Sequence, residues 1–313
     1  MTITLTAFFT ILILLSVSSA GFILQKKEML SQNCIPGFST VLLYICQPCL
    51  TVYTFYEADI TLENVKNMLV FAGLLLFVFL LVLGGAFLIL RKKYDRAIYR
   101  ILTIATMFSN CAFFGIPIIE ALLPDYASEI IIYTTVFGLM MNIIGWTVGS
   151  AIIANNIKFM SVKKILLNPA TLGAVAAVVI LVLNIPLSSS LVSIITVTGK
   201  MCTPLSMLII GMRLATIEFK KIFTDYRIYI TIAIKQIVVP LLAFLIVFSL
   251  DMIDVNLRKT LFITCACPSA SVVLNYSEIV GEGQKEAANL VLLSTISCCI
   301  TLPLIMLLLP FIA

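Results

Sequence analysis

Ten apolar stretches of about twenty or more residues fill this chain almost end to end, near 3–24, 34–56, 68–90, 101–122, 129–154, 165–187, 190–216, 228–250, 258–280 and 287–311. A hydrocarbon core about 30 Å thick takes ~20 helical residues to cross, and inside it every backbone polar group needs a partner from the protein. The chain therefore reads as an all-α polytopic membrane protein. Its composition agrees: 61% hydrophobic residues, 11% charged, and a mean hydropathy of +1.16. The first stretch, Ile3 to Leu24, has no basic residue ahead of it and reads as a retained helix, not a cleaved signal.

The same composition excludes several function classes. No hydrophilic block is long enough for a soluble catalytic or nucleotide-binding domain, and no Gly-rich phosphate loop is present, which argues against an ATP-driven pump. The chain has no histidine, so the usual general base and the Ser/His and Cys/His pairs are missing. Its nine cysteines lie mostly in apolar segments, and Cys265/Cys267 and Cys298/Cys299 lack metal-ligand spacing. Neither an enzyme, a cofactor nor a metal site is expected.

Basic residues divide unevenly among the connectors. The first, third, fifth and seventh hold Lys26, Lys27, Arg91, Lys92, Lys93, Arg96, Arg100, Lys158, Lys163, Lys164, Lys220, Lys221 and Arg227, whereas the second, fourth, sixth and eighth hold only Lys66, Arg258 and Lys259. The positive-inside rule makes the odd connectors cytoplasmic and leaves both termini outside. The net charge of +5 then reflects orientation and attraction to anionic lipid; no nucleic-acid partner is needed.

Cutting after the fifth stretch leaves two halves, 1–154 and 155–313, with five stretches each. An odd number per half forces opposite orientations, the geometry of an inverted repeat. Proline is expected to break the stretches in corresponding places: Gln47-Pro48 and Thr203-Pro204 the second and seventh, Pro117 and Pro268 the fourth and ninth. The segments Ser109-Asn110-Cys111-Ala112-Phe113-Phe114-Gly115-Ile116-Pro117 and Cys265-Ala266-Cys267-Pro268-Ser269-Ala270-Ser271 should each free backbone groups at membrane depth. Paired broken helices of this kind point to a transport site.

These motifs resemble the auxin efflux carrier family, which includes bacterial organic-acid permeases and plant PIN-FORMED carriers. The resemblance covers essentially the whole chain. It rests on the Asn-x-x-x-x-Gly-x-Pro pattern from Asn110 to Pro117, Asn168-Pro169, Pro204-Leu205 with Gly211, Pro268 with Asn275, and Ser294-Thr295-Ile296-Ser297 with Leu302-Pro303. It implies ten helices in two inverted five-helix repeats, with a scaffold from helices 1, 2, 6 and 7 and a transport domain from helices 3–5 and 8–10. It also implies crossed broken helices 4 and 9, a homodimer, elevator-type movement and a place in a bacterial inner membrane. The implied function is secondary transport of small organic anions such as mono- or dicarboxylates by alternating access, with proton coupling open. The alternatives are a sodium-coupled symporter similar to the bile-acid carrier fold, and a receptor that keeps the carrier scaffold.

Asn110 and Asn275 lead the candidate substrate-binding residues, because an amide serves a carboxylate without a bare charge in lipid; each also reads as packing between helices. Positive half-helix ends at the breaks suit an anion. Gly115, Pro117 and Pro268 would shape the backbone there, and Ser269 and Ser271 would add hydroxyls. Lys235, several residues inside the eighth stretch, reads either as a substrate or coupling group or as a side chain that snorkels to the cytoplasmic surface. Glu120 and Glu278 are coupling candidates if buried and hydrated surface groups otherwise. Arg213 reads as a snorkelling anchor. No Asp lies in a stretch core, which weakens a carboxylate-caged sodium site.

Overall fold

In a computed structural model the described residues are all but 1, 2, 32, 58–60, 184, 217–224 and 313, together with all side chains except those of 127–129. Lys220 and Lys221, read above as connector residues, lie outside the described residues. The helices in chain order are α1 (Ile3–Lys26), α2 (Cys34–Glu57), α3 (Leu62–Lys93), α4 (Ala97–Met107), α5 (Cys111–Leu122), α6 (Ile130–Ala154), α7 (Ile157–Val182), α8 (Ser189–Ala215), α9 (Tyr226–Phe248), α10 (Val255–Ala266), α11 (Val272–Val280) and α12 (Gln284–Phe311). Eight of them, α1–α3, α6–α9 and α12, are long and apolar enough to cross a membrane. The other four form two interrupted pairs, α4/α5 and α10/α11.

Local chemistry sets the starts. Thr61, Ser188 and Asp254 each accept a bond from the first turn of the helix that follows, and Asn168 does the same for the main part of α7, Pro169–Val182, where the missing N–H of Pro169 costs nothing. Proline also explains three of the four widened turns among the described residues; the fourth, Gly145–Gly149, has no proline after it. The turns Leu42–Cys46, Cys111–Gly115 and Ile234–Val238 all widen to i→i−5 bonding, and each stops two residues before a proline: Pro48, Pro117 and Pro240. The proline ring crowds the carbonyl four residues back and offers no N–H, so the upstream turn opens instead of breaking. Pro48 and Pro117, expected from sequence to break their helices, thus sit just past widened turns in continuous α2 and α5. α8 is interrupted at Met201, three residues before Pro204.

Helix packing follows the small residues. α1 lies along the second part of α8: Ser18 Oγ donates to the Met207 carbonyl at 3.0 Å, and Gly21 and Gly211 leave no room for a Cβ against Leu208 and Ser18 of the facing backbone. On the other side, α2 rests on α7 and α8, where a Cβ on Gly173 would stand 2.8 Å from the Cα of Pro48 and one on Gly199 2.8 Å from the Cα of Leu50. In lipid, close van der Waals contact replaces the hydrophobic effect as the force between helices, and small residues permit it.

One buried arginine gathers several connectors at one end of the molecule. Arg100, only 3% exposed, donates from Nε to the Ile153 carbonyl at 3.0 Å and from Nη1 to the Tyr94 carbonyl at 2.6 Å, and pairs with Glu282. Glu282 is held out by the turn Gly281-Glu282-Gly283, whose glycines take positive φ of 83° and 65°. The third, fifth and ninth connectors therefore share an end.

Gly211→Leu is expected to destabilise the protein by about 1–3 kcal/mol, because the new side chain has to displace the Ser18 backbone. Gly84→Ala, where a Cβ meets nothing within 4 Å, should be neutral or slightly stabilising. Thermal unfolding in detergent checks the pair; equal melting temperatures would show that the α1/α8 approach is not tight.

Candidate functional site

The two interruptions meet. α4 ends at Met107 and α5 starts at Cys111; between them Phe108 is extended (φ −86°, ψ 117°) and Asn110 is non-helical (φ −76°, ψ 59°). α10 ends at Ala266, one residue before Cys267, which is extended (φ −62°, ψ 153°), as a residue preceding proline is driven to be. The Asn110 N–H donates to the Pro268 carbonyl at 2.8 Å and the Ala270 N–H to the Phe108 carbonyl at 2.9 Å, an antiparallel bridge centred on Ser109 and Ser269. Each break supplies the partner the other lacks, so neither leaves these main-chain groups bare at depth. Both central serines are buried, and Ser269 Oγ donates to the Ala105 carbonyl at 3.0 Å.

α9 brings a lysine amine to this crossing. Its widened turn ahead of Pro240 carries Lys235 and Gln236, which are 0% and 1% exposed. Lys235 Nζ donates to Ser109 Oγ at 2.5 Å and to the Cys265 carbonyl at 3.0 Å, so one amine ties the two breaks together. The snorkelling reading of Lys235 is therefore overturned: the side chain points inward, and a fully buried amine cannot reach the surface. Among the described residues no carboxylate bonds it; a hydroxyl and a carbonyl carry its protons.

Gln236 links the crossing to α12. Its Nε2 donates to the Ser294 carbonyl at 2.5 Å, and its Oε1 accepts from Ser297 Oγ at 2.7 Å and Thr301 Oγ1 at 2.9 Å. Ser294 Oγ in turn accepts from the Ser269 N–H at 3.2 Å. Residues 294, 297 and 301 recur at three- and four-residue spacing on one helix face. Ser109, Gln236 and Thr301 were not singled out from sequence. The usable signals were the adjacency of Ser109 to Asn110, and a polar Lys-Gln pair a turn before a proline.

The remaining candidates separate into two places. Near the crossing, Asn110 is 5% exposed; its carbonyl accepts from the N–H groups of Phe114 and Gly115 at 3.1 and 3.2 Å, while its side-chain amide bonds to none of the described residues. A Cβ on Gly115 would stand 3.1 Å from the Cys267 sulfur, so its bareness lets α5 pack on the second break. Pro117 is half-buried just beyond. Ser271 and Asn275 instead line a cavity of about 60 Å³ between α2 and α8 on one side and α11 and α12 on the other, with Ser39, Ser206, Phe113 and Arg213. Asn110 does not line it. Arg213, read as an anchor, faces this cavity and pairs at 3.5 Å with Glu278, which is half-exposed. Glu120 is exposed. Beside Asn275, the Tyr276 ring meets the edge of Trp146 at 4.8 Å, and Lys164 Nζ lies 4.5 Å over the Trp146 ring.

No group of three or more metal-ligating side chains occurs among the described residues, and all nine cysteines are free. Apolar membrane-length helices around two interrupted helices that bond to each other through their backbones define the class: a polytopic helical membrane transport protein. The family described as Membrane transport protein matches residues 6–306, and the chain belongs to that family, the one its motifs resemble. None of the curated proteins compared with it matches.

Gln236→Leu removes a donor and an acceptor from the buried Ser294 and the half-buried Ser297 and Thr301 and is expected to cost about 1–3 kcal/mol. Thr301→Val removes one bond of a shared acceptor and should cost about 1 kcal/mol or less. Thermal melting of both variants checks the ranking; a Gln236 variant no weaker than the Thr301 variant would mean that this network does not hold the crossing.

Proposed function

We propose that this chain, an integral membrane transporter by family, is a secondary carrier of small organic anions, with ten membrane passes as two inverted five-helix repeats. The observation that carries the anion assignment is the convergence of positive charge on the helix interruptions. The Lys235 amine bonds both breaks, the positive ends of the α5 and α11 dipoles lie at the breaks, and Arg213 stands at the cavity formed in part by α11. Residues from two groups of helices line that cavity, α2 and α8 against α11 and α12. At about 60 Å³ it holds roughly two waters, well short of the ~300 Å³ of a small-molecule site, so the two faces part to admit substrate and alternate between sides.

In this reading a carboxylate takes its bonds from Asn275, Ser271 and Arg213, displacing Glu278 from the arginine, and Asn110 with the α5 start lies deeper along its route. Lys235 fixes the field without moving. Its ammonium already occupies hydroxyl and carbonyl oxygens of the kind a sodium ion takes, which favours a proton gradient over a sodium gradient as the driving force. The scaffold comprises helices 1, 2, 6 and 7 of the ten, both termini face outward from a bacterial inner membrane, and two copies form a homodimer with elevator-type movement. The chain is not an enzyme.

Proteoliposomes loaded with labelled mono- and dicarboxylates test this. Uptake or exchange is expected, accelerated by an imposed pH gradient and indifferent to sodium. Binding without flux would make the protein a receptor, and acceleration by sodium would overturn the coupling. Asn275→Ala and Arg213→Gln should each weaken apparent affinity about tenfold, roughly 1.4 kcal/mol, while Glu278→Gln should tighten it by freeing the arginine. Unchanged affinity in Asn275→Ala, Arg213→Gln and Asn110→Ala together would remove the site assignment.

A further inference from the structure

A second hollow, larger than the cavity at Asn275, lies elsewhere on the described helices. A groove of about 430 Å³ runs between α3 and α9 with α4 as its floor. Its walls are apolar for most of their length, including Leu81, Gly85, Ile234 and Val238, and Leu81 and Val238 are themselves exposed, so the groove opens to the side where lipid lies. It follows α3 from Leu81 to Lys93, about 18 Å at ~1.5 Å per residue, close to the ~15 Å of one leaflet's hydrocarbon.

One end is different. There the groove ends on Lys93, Tyr99 and Arg227. Both cations stand over the same ring: Lys93 Nζ is 5.4 Å and the Arg227 guanidinium carbon 5.7 Å from the Tyr99 centroid. Arg227 is matched by Asp225, which accepts at 2.7 and 2.6 Å, and the guanidinium holds the Asp225 carboxyl below the usual carboxylate range. Lys93 bonds to no carboxylate among the described residues, and Arg91, Lys92 and Arg96 share its connector with a single acid, Asp95. A net positive charge thus caps an apolar slot one leaflet deep.

We propose that this groove seats one acyl chain of an anionic phospholipid, with the phosphate at Lys93 and Arg227. A tail in the slot packs on Ile234 and Val238, which begin and end the widened turn that carries Lys235 and Gln236. The lipid therefore braces from outside the turn that holds the helix crossing. This assignment is independent of what the carrier transports.

Native mass spectrometry of the purified full chain, with dioleoylphosphatidylglycerol or dioleoylphosphatidylcholine added, tests it. The wild type should retain the anionic lipid about fivefold or more over the zwitterionic one. Lys93→Gln should bring the two to parity. Gly85→Leu, at a position where a Cβ meets nothing within 4 Å, should fill the slot and cut retention of both. Millimolar inorganic phosphate should displace neither. Equal retention of the two lipids by the wild type, an unchanged preference in Lys93→Gln, undiminished retention in Gly85→Leu, or displacement by phosphate alone would each overturn the proposal. Lys93 is exposed, so its variant decides the matter whether or not Gly85→Leu folds.

Discussion

The structure depends on one exchange of main-chain bonds, Asn110 N–H to the Pro268 carbonyl and Ala270 N–H to the Phe108 carbonyl. A helix interrupted in an apolar setting leaves peptide groups that cost several kcal/mol each if unpaired. A single interruption has no remedy of its own. Two, brought face to face, cancel most of that cost, and the rest of the bundle is arranged to keep them there: Lys235 clamps the first break to the second, Ser294 fastens the second to α12, and Gln236 joins α9 to α12.

Proline plays two roles here, and the difference is one of position. Pro268 follows a residue forced into extended backbone, and the helix ends. Pro48, Pro117 and Pro240 stand inside helices that absorb them with a wider turn. The third such turn matters most. It rotates the polar pair Lys235-Gln236 toward the crossing, whereas the fully apolar residues after Pro240 continue along the membrane face. A backbone irregularity has become the means of delivering a charge to a buried place.

Much of the architecture was legible in the sequence because lipid imposes simple demands on it. The long apolar runs gave the helices, and the Cys267-Pro268 step marked the second break. The first break was harder to place. Gly115 and Pro117 are the helix breakers nearest to it, but the chain departs from helix at Phe108 to Asn110, because the bridge to the other segment holds it there and no local residue announces that. The burial of Lys235 was likewise undecided from sequence, since a lysine less than three turns from a basic connector reaches either way and only the widened turn fixes its direction. Arg213 reads as an anchor by position alone; its pairing with Glu278 across 65 residues is a property of the assembled bundle. The family motif named Asn110 and Asn275, yet not that the first sits at the crossing while the second opens on a separate cavity.

The edge-on contact of Trp146 with Tyr276 gives the molecule a built-in optical reporter. It is the one tryptophan of the chain, it lies under the Lys164 ammonium, and its neighbour on α11 is adjacent to Asn275. Any displacement of α11 relative to α6 alters the indole's surroundings, so emission colour and intensity follow that helix in an unlabelled protein.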